Sequence, residues 1–172
     1  RILDIGCGSG LIALMLAQRT AEQVTLDAVE LDASAASQAD ENVQASPWAD
    51  RITVHQQDIV SWSEQCEKRY SLIVSNPPFF APGTASASAE RDNARSTTTL
   101  DHPTLLRCAA QLIEEEGIFC VVLPEESGEK LISLAQAEGW HLRYRYAVAA
   151  YAQRPPNRPV LGFSPTPGET FP

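Results

Sequence analysis

Short apolar runs alternate along the chain with segments that repeat hydrophobic residues at helical spacing. The apolar runs predict seven β-strands, at residues 2–6, 25–31, 52–56, 70–75, 118–123, 142–148 and 160–163. The helical segments predict α-helices at residues 11–19, 34–44, 105–115 and 127–138. Helices between successive strands indicate an α/β fold with a parallel sheet covered on both faces.

The last two predicted strands follow each other without a helix, so we expect an antiparallel hairpin at one edge of a seven-stranded, mostly parallel sheet. No repeat or linker divides the 172 residues, which predicts a single domain over residues 1–172. Residues 79–100 interrupt the alternation with a stretch rich in Ala, Ser, Thr and Gly, and a loop of this length is often functional or mobile, or else a disordered insertion. Because a strand pattern begins directly at Arg1, we expect native N-terminal and C-terminal segments to be missing.

The formal net charge of −9 argues against indiscriminate nucleic-acid binding. The charge is uneven, however, because no acidic residue lies between Glu138 and Glu169. Four arginines fall in that interval: Arg143, Arg145, Arg154 and Arg158. The sequence therefore predicts a local positive segment on an acidic protein.

No apolar run approaches the roughly 18 residues of a membrane span, so no membrane partner is expected. The four cysteines are far apart and form no CxxC pair: Cys7, Cys66, Cys108 and Cys120. The three histidines are scattered as well: His55, His102 and His141. This distribution predicts reduced thiols in a cytoplasmic protein, with neither a disulfide framework nor a metal site.

A glycine-rich loop joins the first predicted strand to the first helix. It reads DIGCGSG over residues 4–10, beginning at Asp4 and carrying Gly6, Gly8 and Gly10. Glycines let the backbone turn sharply and approach a ligand closely, with a helix N-terminus behind them. The spacing is G-x-G-x-G rather than the dinucleotide fingerprint G-x-G-x-x-G.

Two acidic residues end the next two strands. Glu30 lies at the tip of the second strand, about twenty residues after the glycines, where a carboxylate commonly binds ribose hydroxyls. Asp58 follows the third strand, where it is placed to accept a hydrogen bond from an adenine amino group. Each residue alone also fits a plain turn or a solvated strand end. Together, at the carboxyl ends of parallel strands, they favour one shared ligand.

The fourth predicted strand runs into SNPPFF at positions 75–80. Proline stiffens the chain and removes a backbone donor while keeping its carbonyl acceptor. The pattern predicts a rigid turn at Asn76, Pro77 and Pro78, followed by aromatic faces at Phe79 and Phe80. We expect this turn on the same edge of the sheet as the glycine loop.

DIGCGSG, VELD and NPPF, in this order, resemble the motifs of class I S-adenosylmethionine-dependent methyltransferases, whose NPPF forms methylate planar nitrogens. Longer stretches, ILDIGCGSGLIALMLAQR and LIVSNPPFF among them, are similar to the bacterial tRNA(Val) adenine-N6 methyltransferases, which modify the adenosine just 3′ of the anticodon. The resemblance covers nearly the whole chain. It implies a Rossmann-like class I methyltransferase fold, S-adenosyl-L-methionine as cofactor, and a monomeric enzyme acting on adenosine 37 of valine tRNA.

The resemblance also implies roles for individual residues. Cofactor binding would involve Asp4, Gly6, Gly8, Gly10, Glu30, Asp58 and Asn76. Catalysis would involve Asn76, Pro77, Pro78 and Phe79. The Asn76 side-chain oxygen and the Pro77 carbonyl would accept hydrogen bonds from the adenine amine, and Phe79 would stack on the base, a contact worth about 1–3 kcal/mol.

The arginines suggest contacts with RNA outside the pocket. Arg91 and Arg95 in the long loop are candidates for a lid over the base, which must leave its stack to react. The four arginines of the positive segment would contact phosphates, or else pair with surface acids.

Other functions remain open from the motifs alone. An NPP turn also suits methylation of guanine N2 in ribosomal RNA, of adenine in DNA, or of a glutamine amide in a protein. A nucleotide-dependent oxidoreductase is disfavoured by the glycine spacing. A non-catalytic RNA-binding module is disfavoured by the joint presence of glycines, acids and amide.

Overall fold

The structure is a computed structural model that describes residues 1–77 and 100–171. Within these residues the strands are β1 (Ile2–Ile5), β2 (Leu26–Glu30), β3 (Ile52–Gln56), β4 (Tyr70–Ser75), β5 (Ile113–Val122), β6 (His141–Val148) and β7 (Arg158–Ser164). The helices found there are α1 (Leu11–Arg19), α2 (Ala33–Gln44), α3 (Ile59–Gln65), α4 (His102–Leu112) and α5 (Glu125–Ala137).

The seven strands form one sheet in the order β3-β2-β1-β4-β5-β7-β6. Strands β1 to β5 pair in parallel, whereas β7 is antiparallel to both β5 and β6. The predicted mostly parallel sheet with an antiparallel hairpin at one edge is therefore confirmed. Because β7 is the inner strand of that hairpin, the outer strand β6 runs in the same direction as β5.

The two faces of the sheet bury different cores, as the alternation of side chains along each strand requires. Leu3 and Ile5 of β1 join a cluster that includes residues from α3, α4 and α5. Ile2 joins a second cluster that is rich in alanines from α1 and α2. The prediction of helices on both faces is thus confirmed.

One helix, α3, was missed by the sequence prediction. Its sequence IVSWSEQ carries few aliphatic residues, and only Ile59, Trp62 and Ser63 are buried, at helical spacing. The signal that locates it is the residue before it, because the Asp58 carboxylate accepts a hydrogen bond from the Val60 amide and caps the helix.

The predicted boundary between the helix at residues 105–115 and the fifth strand was also wrong. The helix was expected to reach residue 115, but α4 ends at Leu112 and β5 begins at Ile113. Ile113 pairs with Tyr70, and the register then shifts before Leu72 pairs with Ile118. The three exposed glutamates at positions 114–116 also fit the exposed face of a helix. For this reason the hydrophobic pattern predicted that the helix continues to residue 115.

The buried carboxylate of Asp27 links β2 to β3 and to the start of β4. Asp27 accepts a hydrogen bond from the Tyr70 hydroxyl at 2.7 Å, and its oxygens lie 2.8 Å from His55 Nε2 and 3.1 Å from Lys68 Nζ. Burial by itself raises the pKa of Asp27, but the hydrogen bonds from His55, Tyr70 and Lys68 outweigh it and lower the pKa to about 2. His55 therefore has a structural partner, in keeping with a packing role.

The outer edge of β6 is paired near its middle by residues from the end of the described chain. The Phe171 amide donates to the Arg143 carbonyl at 2.7 Å, and the Arg145 amide donates to the Phe171 carbonyl at 3.2 Å. The Phe171 ring stacks on Tyr144, with 5.5 Å between ring centroids.

Candidate active site

Four of the parallel strands end at one edge of the sheet, which we call the rim. Ile5 of β1 lies opposite Val29 of β2 and Ser75 of β4, and β2 and β3 end side by side. The rim therefore brings together the residues that follow or close these strands: the glycine loop, Glu30, Asp58 and Asn76. In open parallel sheets this edge is where ligands bind.

The glycine loop adopts a backbone conformation that other residues rarely tolerate. Gly6, Gly8 and Gly10 have φ angles of +69°, +54° and +82°. No heavy atom lies within 4 Å of the position that a Cβ would take at Gly6 or Gly8, whereas a Cβ at Gly10 would lie 3.4 Å from the Cβ of Ala39. The first two glycines thus leave open space at the rim, and the third lets α1 approach α2.

Glu30 holds the glycine loop in place. Its Oε1 accepts a hydrogen bond from the Gly8 amide at 2.9 Å, and its Oε2 accepts from the Asp32 amide at 3.1 Å. Each carboxylate oxygen has two lone pairs, so both retain capacity for a further donor. The carboxylate therefore braces the loop while still presenting acceptors at the rim.

Asp4 is a buried carboxylate without a partner. It is only 1% exposed, and neither of its oxygens has a hydrogen-bond partner among the described residues. Burial raises the pKa of Asp4 from 3.8 to about 7. The backbone amide of Ala13, which lies near Asp4 without reaching hydrogen-bonding geometry, offsets part of this rise, and the charge of Glu30 adds to it. Such a group favours a donor or a cation beside the loop.

Asp58 has a structural role already. It is half-buried and uses Oδ1 to accept from the Val60 amide at 3.3 Å, capping α3. Its other oxygen makes no hydrogen bond to residues 1–77 or 100–171 that would occupy it. The position after β3 is therefore compatible with the predicted contact to a base.

Asn76 lies directly beside the glycine loop. The Ser75 hydroxyl donates to the Ile5 carbonyl at 2.9 Å and ties the end of β4 to the end of β1. Asn76 and Gly6 directly follow Ser75 and Ile5, the last residues that pair between these two strands. Asn76 is exposed and Pro77 is buried, so Asn76 is open to solvent directly after the end of β4.

Two residues that support this arrangement were not singled out from the sequence. Ser75 ties β4 to β1, and Asn42 of α2 donates from Nδ2 to the Ser9 carbonyl of the glycine loop at 2.9 Å. Asn42 follows the buried Ala39 by three positions and precedes the buried Val43. The sequence signal that could have identified Asn42 was an amide side chain beside the buried face of α2.

Several predicted residues lie outside the described part of the chain: Pro78, Phe79, Phe80, Arg91 and Arg95. The arginines of the positive segment behave differently from one another. Arg145 forms ion pairs with Glu125 and Glu129, and the Arg143 Nε donates to the Glu169 carbonyl at 2.9 Å. For Arg145 the alternative of pairing with surface acids is the one observed.

The part of the chain that the structure describes contains no disulfide, no cluster of metal ligands and no membrane-spanning helix. All four cysteines are free thiols. No group of three or more His, Cys, Asp or Glu side chains is arranged to hold a metal ion among those residues. No helix among them is long and apolar enough to span a membrane.

The strand order and the glycine loop at the rim define a Rossmann-like domain of the methyltransferase type. The glycopeptide N-methyltransferase MtfA, solved in complex with S-adenosyl-L-methionine, superposes with a TM-score of 0.69. The superposition covers 95% of this chain and 86% of that one at 12% identity, so it supports the fold alone.

Sequence relatives are much more similar. The tRNA1(Val) (adenine(37)-N6)-methyltransferase of Cronobacter sakazakii is 64% identical over 99% of this chain and 70% of its own length. The protein of the same name from Erwinia tasmaniensis is 60% identical over 98% of this chain and 69% of its own. The methyltransferase small domain model matches residues 1–136. The chain belongs to the methyltransferase small domain family and, within it, to the family of the tRNA1(Val) (adenine(37)-N6)-methyltransferases.

The raised pKa of Asp4 leads to a prediction about stability. The folded chain holds the Asp4 proton up to about pH 7, whereas the unfolded chain releases it near pH 4, so folding stability falls as pH rises between these values. We expect this effect to amount to about 3–5 kcal/mol and to be absent in Asp4→Asn. Urea unfolding of the ligand-free protein at a series of pH values measures it.

The matched control is Asp50→Asn, which changes an exposed aspartate. It should retain the decline of the parent protein between pH 4 and pH 7. Parallel stability curves for Asp4→Asn and the parent would contradict the assigned burial of the charge.

Proposed function

We propose that this protein transfers a methyl group from S-adenosyl-L-methionine to the exocyclic N6 amine of adenosine 37 in valine tRNA. The single observation that supports the chemistry is that Asn76 and the glycine loop directly follow the paired residues Ser75 and Ile5 at the rim. The names of the relatives at 60–64% identity support the substrate. A monomeric, cytoplasmic enzyme with one catalytic domain over residues 1–172 completes the proposal.

Structural features of the rim, independent of the sequence relatives, suit S-adenosyl-L-methionine. Open space beside Gly6 and Gly8 admits a ligand against the backbone, and the unpartnered carboxylate of Asp4 lies beneath the loop. Negative charge from Asp4 and Glu30 favours a ligand with cationic centres. When bound, S-adenosyl-L-methionine supplies an electrophilic methyl group on a positively charged sulfur.

Individual residues would hold the cofactor through different groups. The amides and open backbone of Gly6, Gly8 and Gly10 suit close approach. The remaining lone pairs of Glu30 suit ribose hydroxyls, and the second oxygen of Asp58 suits the amino group of an adenine ring. Asp4 would act from below the loop by its charge.

The substrate amine needs acceptors because its lone pair is delocalised into the adenine ring. The Asn76 side-chain oxygen and the Pro77 carbonyl would each accept one of its N–H groups, which favours a pyramidal nitrogen with its lone pair free to react. Pro78 would keep the turn rigid, and Phe79 would stack on the flipped base. Catalysis then consists mainly of positioning and charge placement.

Incubation with unmodified tRNA tests the function directly. The full-length natural protein, given S-adenosyl-L-methionine and tRNA pools, should form N6-methyladenosine at position 37 of valine tRNA, detected by nucleoside mass spectrometry and mapping. Methylation of guanine N2, DNA adenine or protein glutamine in parallel assays would select another planar-nitrogen substrate. Tight binding of NAD(H) with none of S-adenosyl-L-methionine would indicate an oxidoreductase, and cofactor binding without any transfer would indicate a binding module.

The role of Asn76 predicts a separation between binding and catalysis. Asn76→Ala should lower kcat for tRNA methylation by about two to three orders of magnitude, because one acceptor of the reacting amine is lost. The Kd for S-adenosyl-L-methionine, measured by calorimetry, should stay within about threefold. Gln44→Ala, which removes an exposed amide at the end of α2, is the control. Equal losses in both quantities would argue against the role.

The role of Glu30 predicts the opposite pattern. Glu30→Ala should raise the Kd for S-adenosyl-L-methionine by about tenfold or more, since it removes both the ribose acceptor and the bond to the Gly8 amide. Glu30→Gln keeps an oxygen for Gly8 and should lose less. Glu41→Ala, on the exposed side of α2, should bind normally. An unchanged Kd in Glu30→Ala would exclude the contact.

A further inference from the structure

The β6–β7 hairpin projects beyond the rim. Across the sheet, Ser75 pairs with Val121, and the next residue of β5, Val122, is level with Val160 of β7 and Tyr146 of β6. Tyr146 therefore stands at the height of Asn76. The pairing continues two residues further, to Val148 opposite Arg158, which carries the hairpin about 7 Å above the rim.

The tip of this hairpin, residues 149–158, has a defined internal structure. The Arg154 amide donates to the Tyr151 carbonyl at 3.0 Å, so these two residues close one tight turn. The Asn157 amide donates to the Val148 carbonyl at 3.1 Å, and the Asn157 carbonyl accepts from the Glu125 amide at 3.2 Å. Prolines at positions 155 and 156 restrict the backbone further.

The exposed groups at the tip include one aromatic ring and two guanidinium groups. Tyr151 is 70% exposed, the highest value among the large hydrophobic residues described. Arg154 and Arg158 are exposed as well, and neither forms an ion pair within the described ranges. In the same hairpin, the charge of Arg145 is neutralised by Glu125 and Glu129.

We propose that the hairpin tip is a docking surface for the RNA strand that flanks the methylated adenine. Arg154 and Arg158 bind phosphates, and Tyr151 stacks on an unpaired base. The inference rests on the proposed function and specifies which part of the molecule, apart from the pocket, holds the RNA. A protein of net charge −9 repels a polyanion in general, so a contact of this kind requires local unpaired cations.

The distance between Asn76 and the hairpin fits an RNA strand that crosses the rim. Strands β5 and β7 lie between β4 and β6, so three strand spacings, about 14 Å, separate Asn76 from the hairpin. A few nucleotides of single-stranded RNA span that distance. A loop with unpaired bases on both sides of the target suits this surface better than a continuous duplex, because only unpaired bases present a face to Tyr151.

Binding of a valine tRNA transcript to the full-length natural protein tests the proposal. Arg154→Ala combined with Arg158→Ala should weaken the Kd measured by fluorescence anisotropy about tenfold or more at low salt. The slope of log K against log salt should fall by about 0.7–0.9 for each phosphate contact removed. Tyr151→Ala should weaken binding about tenfold with little change in that slope. The Kd for S-adenosyl-L-methionine should be unchanged in both variants, and KM for tRNA should rise far more than kcat falls.

Two arginine variants serve as matched controls. Arg145→Ala removes a paired guanidinium from the same hairpin, and Arg19→Ala removes an exposed one at the far end of α1, away from the rim. Both should bind tRNA with the affinity and salt slope of the parent. Circular dichroism and thermal unfolding establish that each variant is folded.

The outcomes separate this inference from the proposed function. If the folded hairpin variants bind tRNA with the same Kd and salt slope as the parent protein, the docking surface is wrong, even if methylation of tRNA is observed. Loss of binding in the Arg145 and Arg19 controls equal to that in the tip variants would also overturn it, since the effect would then be general charge. Because anisotropy needs no turnover, selective loss of binding at the tip supports the surface even if no methyl transfer occurs and the proposed function fails.

Discussion

The arrangement of the rim depends on the register with which β1 pairs with its two parallel neighbours. Ile5 aligned with Val29 and Ser75 sets the glycine loop between Glu30 on one side and Asn76 on the other. The Ser75 hydroxyl bond to the Ile5 carbonyl and the Glu30 bond to the Gly8 amide reinforce both alignments. A slip of one residue would turn every side chain of a strand to the other face, so the register determines the chemistry.

The acidic groups around the loop link stability to ligand binding. Asp4 is held without a hydrogen-bonding partner in the described structure, close enough to Glu30 for the two charges to oppose each other. The free protein therefore holds the Asp4 proton up to about pH 7, a cationic ligand beside the loop would favour the ionised carboxylate, and a ligand that binds the folded state stabilises it. Under the proposed function, the same carboxylate that weakens the empty fold helps to retain the methyl donor.

The sequence predicted the sheet and its antiparallel hairpin, because apolar strands leave strong periodic signals, and it predicted that the glycine loop, Glu30 and Asn76 follow strand ends at one edge. It missed α3, whose only clear marker is the Asp58 cap, and it extended α4 over exposed glutamates that belong to β5. It treated four arginines alike, although Arg145 of β6 forms ion pairs with two glutamates of α5. Such pairings join residues far apart in sequence, so only the three-dimensional arrangement reveals them.

The pairing of Phe171 with β6 affects how the molecule behaves among copies of itself. An open outer strand offers unpaired amides and carbonyls on which another chain can add a strand. Here the Phe171 amide and carbonyl occupy two of those groups on β6, and its ring covers Tyr144. Along the stretch that Phe171 covers, the backbone groups of β6 are therefore not open to the addition of a strand from another copy.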